Sequence, residues 1–180
     1  ASEGIAGGFR PVLEVLEALE AAGRIRRGYF VAGVGAMQFA TPAALDLLRR
    51  LRHRSGEPES VTLAAADPAN PWGAILRWPP PAAAGGARRP SRSVGAHVVL
   101  VDGALVGWLG RGGRQLLTWL PEEERESARA GTALAFELAK LARAGAGFVL
   151  SEVDGVAARA HPLALALAAA GQVAPIVRDI

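Results

Sequence analysis

The sequence predicts an α+β chain in two parts. A helix and a β-hairpin with a linking helix occupy residues 1–54, and a small curled antiparallel sheet or β-barrel with flanking helices occupies residues 55–180. Three observations carry this expectation. Leucines at helical spacing near the start meet a glycine stop, several short apolar runs are joined by two-residue turn signals, and a second helical leucine pattern opens with an acidic turn. The 180 residues are 51% hydrophobic and 21% charged, with no cysteine, which excludes a disordered tail and a disulfide scaffold. Charges and prolines break every alanine-rich stretch before the roughly 20 apolar residues of a spanning helix, so a soluble, cytoplasmic protein is expected. Twenty basic residues against 17 acidic leave a net charge of +3, too little to argue for a nucleic-acid partner. Nearly all the basic residues are arginine, which suits phosphate wherever they cluster.

Val12, Leu13, Leu16 and Leu19 share one helix face and Glu14, Glu17 and Glu20 the other, so residues 11–22 form a helix ended by Gly23. Residues 24–31 and 36–40 pair as a hairpin around Gly33 and Gly35. Thr41 and Pro42 then cap and open a helix over 43–51. Strands are expected at 61–65, 96–101, 105–109 and 115–120, with a rigid turn at 67–73 and a long proline- and glycine-rich loop over 79–90. Asp102-Gly103 is the pair that best suits a type I′ hairpin. Residues 121–144 form a helix with Glu122, Glu123 and Glu124 at its positive end. A strand at 148–153 is closed by Asp154-Gly155, and His161-Pro162 introduces a short helix before a last strand at 173–177.

No phosphate loop, GxGxxG, HExxH or GxSxG is present, and His53, His97 and His161 are too scattered to suggest a metal site. A helix followed by a basic β-hairpin is the back half of a winged-helix unit, with the hairpin as the wing. Arg24 and Arg26 then share one strand face, Arg27 takes the other, and Tyr29 is placed to stack on a base. The three glutamates of the helix argue against its entering a major groove. A plain amphipathic helix and hairpin packed on the rest of the chain explains the same residues. A second basic surface joins Arg88, Arg89 and Arg92 on the long loop with Arg111 and Arg114 on a hairpin turn, where a phosphate backbone could run. Trp72 and Trp78, flanked by prolines, either stack on a base or pin the loop, while Trp108 and Trp119 belong to the core. Asp67 and Asp179 are weak candidates for a catalytic carboxylate. Asp102 and Asp154 are accounted for by turn chemistry.

Residues 19–31 (LEAAGRIRRGYFV), 35–42 (GAMQFATP), 65–73 (AADPANPWG), 99–103, 111–114 and Val153-Asp154-Gly155 ahead of Pro162-Leu163 resemble the C-terminal region of the bacterial Lhr (large helicase-related) proteins, superfamily 2 ATP-dependent DNA helicases. The resemblance implies that ATP and Mg belong to motor domains absent here, so this region carries no cofactor and hydrolyses no ATP. It implies winged-helix units followed by a β-barrel module, an architecture similar to AlkZ-type DNA glycosylases. The glutamine-x-glutamine motif of those glycosylases is missing, since Gln38 stands alone. The expected function is an accessory domain of a DNA-repair helicase that holds single-stranded or forked DNA beside the upstream domains of its own chain. A glycosylase-like module or a purely structural, oligomerising module are the alternatives.

Overall fold

A computed structural model describes residues 8–35, 37–52, 58–81, 89–145 and 147–170. The expected last strand at 173–177, Asp179, Arg88 and His53 lie outside them. The chain divides into two compact units, Ala1–Gly56 and Glu57–Ile180.

In the first unit, α1 (Arg10–Ala21) carries Pro11 in its first turn and ends in a Schellman motif. Gly23 takes φ +72, its N–H reaches Glu20 O, and Arg24 N–H reaches Leu19 O, so orphan carbonyls of the last turn are satisfied. Strands β1 (Arg26–Gly28) and β2 (Gln38–Ala40) then pair antiparallel, with Arg27 opposite Phe39. Helix α2 (Pro42–Arg52) follows, where Thr41 Oγ1 accepts the Ala44 N–H as an N-cap. Neither helix has a fully buried residue among those described.

In the second unit, β3 (Ser60–Ala64), β4 (His97–Val101), β5 (Ala104–Leu109), β6 (Gln115–Thr118), β7 (Glu152–Val153) and β8 (Val156–Ala157) form one six-stranded sheet in that spatial order. The sheet is open. Strands β3 and β8 are its two edges, which corrects the expectation of a β-barrel. The sheet is also mixed, because β6 and β7 run parallel while all other neighbours are antiparallel. A parallel pair needs a crossover connection, and here α3 (Glu124–Ala144) supplies it. The helix starts at Glu124 because the Glu123 carboxylate caps the Arg125 and Glu126 N–H groups. The strand expected at 148–153 shrinks to its last two residues. A 3₁₀ turn, Ala158–Ala160, and α4 (Leu163–Ala169) complete the described chain.

The sheet is buried on both faces. Val99, Val101, Val106, Leu109 and Leu116 meet Leu134, Ala135 and Leu138 of α3, together with Leu163 and Leu167 of α4. Val98, Leu100, Leu105, Trp108 and Leu117 point the other way, where Trp72, Trp78 and Trp119 cover them. Strand β4, His-Val-Val-Leu-Val, therefore reads as a continuous apolar run rather than an alternation. At Gly107 a Cβ would lie 2.6 Å from Leu134 Cδ1, so the glycine is what lets α3 approach the sheet. The register shifts between Val99 and Leu100, a local irregularity beside this contact. Glu137, 2% exposed, faces the edge strand: it accepts hydrogen bonds from Ser60 Oγ (3.1 Å) and Thr62 Oγ1 (2.9 Å), with Lys140 Nζ at 3.3 Å.

Leu134 is the fully buried residue shared by the helix and the sheet. Leu134→Ala is expected to cost about 2–5 kcal/mol, read as a lower urea midpoint with an unchanged slope.

Candidate nucleic-acid interface

The wing is built by one side chain. Between β1 and β2 the chain loops out over residues 29–37, and the Gln38 amide holds it closed. Its Oε1 accepts the Phe30 and Val31 N–H groups (2.9 and 2.8 Å), and its Nε2 donates to Val31 O and Val34 O (2.9 and 3.0 Å). Both donors and both acceptor lone pairs of this amide are thus engaged with backbone. Tyr29, 83% exposed, stands on this loop.

Of the three wing arginines, Ile25 is the buried residue between Arg24 and Arg26, which leaves both arginines on the solvent side. No described residue makes an ion pair or side-chain hydrogen bond with either. Arg27 is different. Its guanidinium meets Glu20 (Nε to Oε2 2.8 Å, NH2 to Oε2 2.6 Å), lies 3.6 Å from Glu17, and sits 5.6 Å from the centroid of the Phe39 ring. The acidic face of α1 therefore neutralises one wing cation and leaves two available.

In the second unit, Arg111 and Arg114 flank Gly112 and Gly113, whose φ values of +82 and +72 make the tight turn after β5. Both arginines are exposed. At Gly113 a Cβ would strike Phe148, so this turn is also packed from below. Arg89 is exposed, whereas Arg92, expected to share the basic surface, is structural. Its NH1 donates to Asn70 O (2.7 Å) and Trp72 O (3.2 Å), and its NH2 donates to Ala66 O and Asp67 O (both 3.1 Å). It clamps the 67–73 turn.

That turn also occupies Asp67, whose Oδ1 accepts the Ala69 N–H at 2.8 Å. Asn70, fully buried, donates to Ala65 O and Trp72 O and accepts the Trp72 N–H. Trp72, Trp78 and Trp119 pack over the sheet as partly buried rings, and the buried Trp72 Nε1 has no hydrogen-bond partner among the described residues. The indole N–H groups of Trp108 and Trp119 donate to Ser91 O and Pro80 O, pinning the proline-rich segment to the sheet.

Turn chemistry alone understates Asp154. Its φ of +49 fits the Asp-Gly turn, but its carboxylate also accepts the Thr118 N–H (2.8 Å) and Thr118 Oγ–H, and lies 3.5 Å from His161 Nε2. His161 Nδ1 accepts the Leu163 N–H at the start of α4. These groups floor an open cleft of about 990 Å³. A smaller hollow of about 400 Å³ is lined by His97, whose Nδ1 has no partner and whose burial lowers its pKa below the usual value of 6.5. Among the described residues no group of three or more His, Asp or Glu side chains is placed to hold a metal, and no helix is long and apolar enough to cross a membrane.

A helix followed by a clasped basic hairpin has the arrangement of the second half of a winged-helix unit. Residues 1–60 match the family described as "Large helicase-related protein, winged-helix domain". A protein of Mycolicibacterium smegmatis (strain ATCC 700084 / mc(2)155), named "Lhr helicase/ probable uracil glycosylase", is 42% identical over 162 residues, covering 87% of this chain and 10% of that protein. An Escherichia coli (strain K12) protein, named "Lhr helicase/uracil glycosylase", is 36% identical over 173 residues, covering 94% of this chain and 11% of that protein. The chain belongs to the Lhr helicase family, as part of its C-terminal region. It spans about a tenth of the length of these curated relatives.

Because Arg92 bonds four carbonyls and Gln38 closes the wing, their losses act on structure. Arg92→Ala is expected to cost about 2–3 kcal/mol of stability, since four carbonyls, three of them in part-buried bonds, lose a charged donor. Calorimetry should record a lower Tm for Arg92→Ala.

Proposed function

We propose that this region is a non-catalytic accessory domain of a DNA-repair helicase that holds single-stranded or forked DNA by its phosphates. The observation that carries the reading is the pair Arg24 and Arg26, exposed on the wing of a winged-helix match and unengaged by any described residue. Arg111 and Arg114 extend it to the second unit, and Arg27 contributes less because two glutamates already neutralise it. Arginine forks suit phosphate oxygens, and such contacts position the strand without reading its bases. Tyr29 adds a stacking surface. The partners are then DNA and the remainder of the same polypeptide, whose motor domains bring ATP and Mg.

Fluorescence anisotropy with single-stranded, duplex and forked DNA at several salt concentrations tests this. Arg24→Ala with Arg26→Ala is expected to weaken binding to all sequences alike and to reduce the slope of log affinity against log salt by about two units. Arg27→Ala should change that slope by less than either. Equal slopes for the double variant and the parent protein would remove the wing from the interface.

A second reading, base excision, is favoured by the glycosylase names of both relatives. Glycosylases extrude the target base into a pocket. Asp179 is the carboxylate proposed to act in it, because Asp67 Oδ1 already holds its turn. Uracil-containing oligonucleotides cleaved at the abasic product supply the assay: Asp179→Asn is expected to abolish excision with DNA affinity retained, and Asp67→Asn to lower the Tm instead. Excision that survives Asp179→Asn rejects the assignment.

A further inference from the structure

The cleft above Asp154 has a charge opposite to that of the chain's exposed arginine surfaces. It lies between the end of β6, the first turns of α3, and α4. Glu122 and Glu124 stand at its rim, Asp154 lies at its floor, and no lysine or arginine is among the described residues that line it. A phosphate backbone entering it would meet three carboxylates, with His161 as the one side chain able to carry positive charge. Most of the remaining lining is apolar, with Trp119, Pro121, Leu163 and Leu165 among it, beside the polar Thr118, Ser127, Thr132 and His161. Leu165 is 83% exposed although its neighbours Leu163 and Leu167 are buried, so α4 presents a large side chain that this unit does not use. Carboxylates at the rim of an aromatic and aliphatic trough suit a guanidinium, which pairs with carboxylates at its edge and stacks by its face on an indole.

We propose that this cleft is a docking site for an arginine-bearing, aliphatic segment of protein supplied by the rest of the same Lhr polypeptide. Two observations select this occupant. Charge complementarity favours a cation over a phosphate backbone. About nine-tenths of the length of the matched relatives lies outside this chain, so the partner is tethered and docks at high effective concentration. The occupant's arginine lies between Glu122 and Glu124 over Trp119, and its aliphatic neighbour covers Leu165. The role is intramolecular: it fixes the α+β module against another part of the helicase.

The absence of cysteine in this chain makes the test direct. Full-length Lhr protein carrying Leu165→Cys is labelled with a maleimide, and the rate at that peptide is followed by mass spectrometry. Val94→Cys and Ile75→Cys, at positions 85% and 70% exposed, serve as references. Leu165→Cys is expected to react about tenfold more slowly than both, corresponding to a docked fraction near nine-tenths. Glu122→Arg with Glu124→Arg should restore the reference rate, with a modest fall in Tm from the lost acidic charge at the start of α3. Equal rates at all three positions overturn the proposal, as does protection that persists in the charge-reversed protein. Protection that appears only on adding DNA assigns the cleft to nucleic acid. Protection that rises with protein concentration assigns it to a second copy, and protection lost in Arg178→Ala assigns it to the chain's own last residues. Each of these three outcomes also overturns it.

Discussion

Burial of one sheet on both faces is the constraint from which the second unit follows. A strand such as His-Val-Val-Leu-Val has no polar side to offer water, so each face needs its own cover. Helix α3 supplies one cover and the tryptophan layer the other. The two are made differently. The helix fits by shape, coming close where Gly107 has no side chain. The tryptophan layer fits by hydrogen bonding, because the indole N–H groups of Trp108 and Trp119 bond to carbonyls of the overlying chain. Edge strand β3 would otherwise present an unprotected margin, and the Glu137 carboxylate fastens two of its hydroxyls to α3.

The same economy shapes the functional surface. Arginine is abundant throughout, so its number carries no information; what separates one arginine from another is what it already touches. Arg92 spends its guanidinium on four carbonyls, and Arg27 spends its own on glutamates. Arg24, Arg26, Arg111 and Arg114 have no such commitments among the described residues. The acidic face of α1 pairs with Arg27, which leaves the two arginines around Ile25 as the uncompensated charges of the hairpin among the described residues.

Much of the local structure was legible because its causes are local. Gly23 stops α1, Thr41 and Pro42 start α2, and Asp102-Gly103 takes the two positive φ angles that a type I′ turn demands. The strands of the meander fell where their apolar runs and turn residues placed them. The parallel pairing of β6 with β7 was not legible, because Gln115 and Glu152 are brought together only by the intervening helix. An open edge likewise cannot be told from a closed barrel by strand count and turn type. At the candidate interface, residue type suggested phosphate contact for Arg92 and stacking for Trp72, and long-range packing gave both a structural task. Asp154 and His161 were missed as a pair because each has an adequate local explanation, and only the fold sets them side by side.

The Arg92 clamp has a consequence for how this chain tolerates change in length. By tying residue 92 to the carbonyls of residues 66, 67, 70 and 72, it closes a long excursion of chain at its base. A loop closed at its base is insulated from what happens at its tip, and doubling its length adds only about 0.6 kcal/mol of closure entropy. An insertion between residues 81 and 89 leaves the clamp and the Pro80 and Ser91 bonds all in place, which makes it the natural point for an affinity tag or fluorophore to be grafted.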